Sequence, residues 1–314
     1  MSRKTKRQSS PSVLSQKLND WSKRRHIPGF KTVTVHDVCA HFRGQFVADE
    51  LWGRASSISY NMSMAWPPTM IFLFTLIPLL PISEAFLDQL YSLIRDIVPG
   101  PRNYKAIIDF LDDFLRNPRN GLLSVGFLLS LFFSSNAMMG IMRSFDRNYP
   151  GFKKRKGIRK RLVAIRITLI LFVLFFACLA LLIAQDVVLK WIGIENETVR
   201  SLIRHVRWIF IFLLFFTIIA YIYRAAPSVH KKWHIISPGS VVATMLMLLC
   251  ALGFSWWVSH FGSFNKLYGS IGTILIIMVM IYLCSLSLLI GFEINASIYA
   301  LAHKNISGNV QRES

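Results

Sequence analysis

Long apolar stretches alternate with basic or polar segments along the chain, at 54–80, 121–142, 162–184, 206–223, 238–258 and 268–290. Each of the last five holds about 18–23 residues, enough to cross a ~30 Å hydrocarbon core at about 1.5 Å rise per residue. The pattern predicts an all-α integral membrane protein with about six transmembrane helices. The first stretch differs from the others. Its opening half, Ala55-Ser-Ser-Ile-Ser-Tyr-Asn-Met-Ser, is small and polar, and Trp66-Pro67-Pro68 precedes the apolar run Ile71 to Leu80. Adjacent prolines remove two backbone donors, so a kinked or broken first helix is expected.

Shorter periodicities fill the gaps. Val35, Val38, Phe42 and Phe46 recur on one helical stripe, which predicts an amphipathic helix over 34–52 on the cytoplasmic face or packed beneath the bundle. Residues 82–120 carry two amphipathic patterns, Phe86 to Ile97 and Ile107 to Leu115, separated by Pro99-Gly100-Pro101. Both are too short and too charged to span, so they form a periplasmic helical insert. The expected organisation is a basic cytoplasmic N-terminal segment over 1–53, disordered at its start, a membrane domain over 54–294 and a cytoplasmic tail over 295–314. No cleavable signal peptide is expected, because no apolar core follows the first basic residues.

Composition agrees with that pattern. Hydrophobic residues make up 53% of the 314-residue chain, and mean hydropathy is +0.45. The net charge of +20 comes from 36 Lys and Arg against 16 Asp and Glu. The segments on one side of the predicted membrane hold 25 of these cations and those on the other hold 10. The richer side is cytoplasmic by the positive-inside rule, which places both termini in the cytoplasm. The same basic surface favours the lipid bilayer and anionic headgroups on the cytoplasmic face as partners, with no specific nucleic acid. The four cysteines, Cys39, Cys178, Cys250 and Cys284, form no CxxC pair and read as packing residues. No cofactor or metal is expected, and the oligomeric state is left open.

Several residues are candidates for function. On the first helix Ser57, Tyr60, Asn61, Ser63, Pro67 and Pro68 fall on neighbouring faces. Interrupted, polar helices line substrate paths in transporters, and the same residues also serve interhelical packing. Glu293, at the cytoplasmic end of the last span, is expected to pair with Arg54, Arg143 or Arg224 as an ion-pair lock. The periplasmic loop 259–272, with Asn265, Tyr268 and Gly269, reads as a re-entrant element or a plain hairpin turn. No Asp, Glu, Lys or Arg occupies the middle of any predicted span, which disfavours proton-coupled carriage of small polar solutes.

Particular stretches carry a family resemblance. They are Arg54-Ala-Ser-Ser-Ile-Ser-Tyr-Asn followed by Pro67-Pro68, Tyr223-Arg-Ala-Ala-Pro-Ser, Trp233-His-Ile-Ile-Ser-Pro-Gly-Ser, Phe261-Gly-Ser-Phe-Asn-Lys-Leu-Tyr-Gly-Ser-Ile-Gly and Gly291-Phe-Glu-Ile-Asn-Ala. Spread over roughly 50–300, they resemble the YihY/virulence factor BrkB family of bacterial inner-membrane proteins, once labelled ribonuclease BN. The resemblance implies a six-helix inner-membrane protein without a settled activity; proposals for members include transport, with lipid or lipopolysaccharide handling among them, and a transport-like role is the expectation favoured for this chain. A non-transporting scaffold of the envelope is the alternative. The ribonuclease label finds no support in the residues. His230 and His234 are four apart without a third ligand or an acid nearby, and no HxHxDH run, GxSxG elbow or P-loop occurs. The expectation is therefore a protein that is not an enzyme.

Overall fold

The computed structural model describes residues 26–27, 30–34, 36–38, 40, 51–76, 87–88, 91, 94–95, 101–116, 120–146, 155, 157–191, 197–229, 233–260 and 270–313. Helices dominate, as expected: α1 (Leu51–Leu76), α2 (Pro101–Arg116), α3 (Asn120–Phe145), α4 (Gly157–Trp191), α5 (Glu197–Ala225), α6 (Pro238–His260) and α7 (Ser270–Glu313). Four stretches among the described residues are long and apolar enough to cross a membrane: Leu123–Phe145, Gly157–Cys178, Pro238–Trp257 and Ile274–Ala302. A shorter apolar stretch, Phe212–Ala225, ends α5. Large apolar side chains such as Leu128, Val173, Leu249, Leu252 and Ile274 lie exposed along these helices, as a lipid-facing surface requires.

The chain divides into two compact units, one of Leu51–Phe292 and one of Met1–Glu50 with Glu293–Ser314. In the larger unit α1 packs along α3. Ala55, Ile58, Ala65 and Phe72 of α1 and Ser130, Ala137, Met138 and Ile141 of α3 are buried. Aromatic rings close both ends of this core. Phe72 meets Phe127, Phe172 and Phe176, while Phe145 stacks on Phe292 at 4.0 Å between centroids and Trp233 lies beside it. Helix α6 starts with a reciprocal cap: the Ser237 and Ser240 hydroxyls each accept the other's backbone N–H, and Pro238 takes the first helical position. Gly291 of α7 sits where α5 and α6 converge. A Cβ there would lie 2.5 Å from the Gly239 carbonyl and 2.5 Å from the Tyr223 hydroxyl, so only glycine allows this approach.

The smaller unit adds a short strand pair to the otherwise helical architecture. His26–Ile27 and Phe30–Thr34 pair as antiparallel strands β1 and β2, within the segment read as the basic N-terminal segment. The physical reason is local. Pro28-Gly29, a strong turn dipeptide, separates Ile27 from its partner Phe30, and Thr32, Val33 and Thr34 are β-branched. Beyond Thr34 the described residues 36–38 and 40 are helical. The Thr34 hydroxyl accepts the Asp37 backbone N–H at 3.3 Å and donates to its carboxylate at 2.6 Å. That hydrogen bond, more than any other influence, holds Asp37 below the ordinary carboxylate value. Val38 and Ile298 form the buried centre of this unit, with Ile294, Leu301 and Ala302 packed on it. The rest of the amphipathic helix expected over 34–52 falls on 41–50, outside the described residues, apart from Leu51 and Trp52, which open α1.

Helix boundaries differ from the apolar runs in one direction. α4 begins at Gly157 and α5 at Glu197, each before its apolar run, and α7 continues through the expected tail to Glu313. Backbone hydrogen bonding continues a helix into polar sequence that hydropathy alone excludes. α1 is a single helix with Pro67 and Pro68 inside it, and is not broken into two halves. Proline removes the donors that the Ser63 and Met64 carbonyls would otherwise receive, while the Thr69 hydroxyl donates to Ala65 O at 2.7 Å within the same turn.

Candidate functional site

The polar residues of α1 separate into two faces. Ser56, Ser57, Tyr60, Met64, Pro67 and Ile71 are exposed and recur at helical spacing, giving a stripe that is polar in its first half and apolar in its second. Tyr60 is 61% exposed. On the opposite side polar groups are consumed by packing against α3. Asn61 donates to Ser57 O at 2.7 Å, and its side chain occupies the space a Cβ on Gly140 would take, 3.1 Å away. Thr69 and Ser134 hydroxyls lie 3.3 Å apart, and Ser130 donates to Thr69 at 3.3 Å. Arg54 donates to the Ser144 carbonyl. Ser63 is partly buried, and its Oγ has no hydrogen-bond partner among the described residues. The candidate path residues are thus not one wall. Ser57, Tyr60 and Pro67 lie on the open face, and Asn61, Ser63 and Pro68 are partly buried.

The proposed lock residues occupy different settings. Glu293 is 1% exposed and belongs to the smaller unit, whereas Arg54, Arg143 and Arg224 belong to the larger. Arg143 is exposed and its Nε donates to Met139 O at 3.3 Å. Asn265, Tyr268 and Gly269 lie outside the described residues, as does His230. No group of three His, Cys, Asp or Glu side chains is brought together among the described residues.

A second polar region joins the start of α4 to the end of α5. Arg155 donates to the carbonyls of Ala226 at 2.9 Å, Pro227 at 3.2 Å and Ala225 at 3.4 Å. The last carbonyls of a helix lack internal partners, and a cation there also meets the negative end of the helix dipole. Burial pulls the Arg155 guanidinium below its usual value, against the opposing charge of Asp146. Asp146 accepts from Lys160 at 2.5 Å and from Ser228 at 3.2 Å. Gly157, the first residue of α4, adopts the left-handed conformation at φ 53°. Beside this network lies a cavity of about 200 Å³ lined by Arg155, Val163, Arg166, Ile167, Tyr221, Arg224 and Ala225. Sequence reasoning missed it. Its arginines lie far apart in the chain, and the available signal was Arg166, a cation inside an apolar helix.

The profile of the family described as virulence factor BrkB matches residues 42–313. Among curated relatives, a ribonuclease-like protein YfkH of Bacillus subtilis is 27% identical over 81% of this chain and 92% of its own length. UPF0761 membrane proteins of Stenotrophomonas maltophilia and Chromohalobacter salexigens are 23% and 25% identical, over 83% and 77% of this chain. The matched regions span 61% and 58% of those two longer proteins. No solved structure matches this chain. With most of its length inside the profile and a bundle of membrane-length apolar helices around α1, the chain belongs to the virulence factor BrkB family of membrane proteins.

Proposed function

We propose that this membrane protein has a transport-like role in moving or handling envelope lipids, with six crossing helices and both termini in the cytoplasm. The carrying observation is the exposed stripe of α1. That helix has 26 residues, about 39 Å at 1.5 Å per residue, which is long enough to span. Its open face nevertheless carries Ser56, Ser57 and Tyr60 in one half and Met64, Pro67 and Ile71 in the other. Hydroxyls facing hydrocarbon are unfavourable, whereas the same stripe suits an amphiphile whose headgroup needs polar contacts and whose chains do not.

The alternative is a non-transporting scaffold, supported by the close fit of α1 against α3 at Asn61 and Gly140. Nuclease chemistry is the least supported reading. The ribonuclease-like name belongs to the Bacillus relative, and a two-metal site needs clustered ligands, which are not brought together among the described residues. The test is translocation of fluorescent phospholipid in proteoliposomes of pure protein. Faster headgroup movement than in protein-free vesicles supports the lipid role. No movement by folded protein, with or without an imposed ion gradient, makes scaffolding the better account.

A further inference from the structure

We infer that the cavity between α4 and α5 binds the phosphate of an anionic phospholipid headgroup, held by Arg166 and Arg224. This deepens the lipid reading above by naming a headgroup class and its site. Three of the seven lining residues are arginines and none is a carboxylate. Arg155 is committed to the carbonyls that end α5, and Asp146, whose charge acts on it, is engaged by Lys160 and Ser228. Arg166 and Arg224 are both exposed and lie on facing helices. Guanidinium is the side chain whose planar fork matches phosphate oxygens in two places at once.

Position separates a lipid from a free anion. Arg224 is the penultimate residue of α5, while Arg166 lies nine residues into α4, about 14 Å along the helix at 1.5 Å per residue. A cation that deep in a stretch of hydropathy 2.3 is costly unless it meets an anion at the membrane boundary. The remaining lining is Val163, Ile167, Tyr221 and Ala225, apolar or aromatic surface of the kind found beside headgroups. At about 200 Å³ the cavity is smaller than the ~300 Å³ at which drug-sized ligand pockets begin, so it takes a headgroup and leaves the chains in the bilayer. The charge distribution assigns this end to the cytoplasm, where basic pockets between membrane helices meet anionic lipids.

Native mass spectrometry of the full-length protein, with phosphatidylglycerol or phosphatidylcholine added to the micelles, tests the site. Wild type should retain phosphatidylglycerol in preference to phosphatidylcholine. Arg166→Gln with Arg224→Gln should weaken that retention about tenfold or more. Arg159→Gln, an exposed cation of α4 outside the lining, should change it less than about twofold. Arg166→Lys with Arg224→Lys, which keeps charge but loses the fork, should recover part of the loss, and the melting temperature of each variant identifies misfolding. Equal losses in the Arg159 variant would assign binding to a diffuse basic surface and overturn the site. Displacement by millimolar inorganic phosphate as effective as by lipid would overturn the lipid assignment. Retention without lipid movement in proteoliposomes leaves the site standing and removes the transport reading. Movement with retention unchanged in the double variant does the reverse.

Discussion

The seam between α1 and α3 and the cavity between α4 and α5 are both polar places in an apolar bundle, yet they treat their polar groups differently. Along the seam Asn61, Thr69, Ser130 and Ser134 answer one another or their own backbone, and Arg54 reaches the Ser144 carbonyl. At the cavity Arg155 is answered in the same way, by three carbonyls, but Arg166 and Arg224 face a space without a carboxylate. Polar content alone therefore does not mark a binding site in a membrane protein. The distinction lies in whether neighbouring protein groups already satisfy the polar atoms.

The largest effect that could break this contrast is steric. Gly140→Leu adds a side chain where the Asn61 side chain sits 3.1 Å from the would-be Cβ. It should destabilise the folded protein by about 1–3 kcal/mol, read as a lower melting temperature in detergent. An unchanged melting temperature would show that the seam is looser than its geometry. Next, Arg155→Gln removes charge-assisted bonds to the end of α5 and should cost about 1.5–3 kcal/mol. Arg166→Gln should leave stability near wild type, so similar losses in both would erase the distinction between a capping and a binding arginine. The smallest effect sharpens the seam. Thr69→Val deletes a hydroxyl shared with Ser130 and Ser134, and should cost only about 0.6 kcal/mol, since membrane hydrogen bonds contribute little net. Differential scanning with repeated preparations resolves a change of that size.

Much of this architecture was legible because hydrocarbon imposes its thickness on the sequence. Leu123–Phe145, Pro238–Trp257 and the apolar part of α7 follow the hydropathy closely. α1 was legible as an exception: its Ser and Asn content and its prolines were visible, but their consequence was not. Of the two outcomes expected, a kink or a break, the break does not occur: α1 runs as one helix through Pro67 and Pro68 while packed along α3. The hairpin at His26–Thr34 carried its own signal in Pro28-Gly29, outweighed by the basic composition around it. The candidate path was half legible. Helical spacing put Tyr60 and Ser63 on one face, but it could not show that Asn61 fits against Gly140 of α3, that Ser63 is partly buried and that Tyr60 is open. The cavity was illegible, since Arg155, Arg166 and Arg224 meet only through tertiary structure.

The most direct test of the proposed lipid role compares Tyr60→Ala with Thr69→Val in the same proteoliposome translocation assay. Tyr60 lies on the open stripe and Thr69 in the packed seam, so the account predicts slower headgroup movement, by about tenfold, in the Tyr60 variant alone, with its melting temperature unchanged. Equal rates in wild type and the Tyr60 variant, or slowing only in the seam variant, would contradict a lipid path along the exposed face of α1.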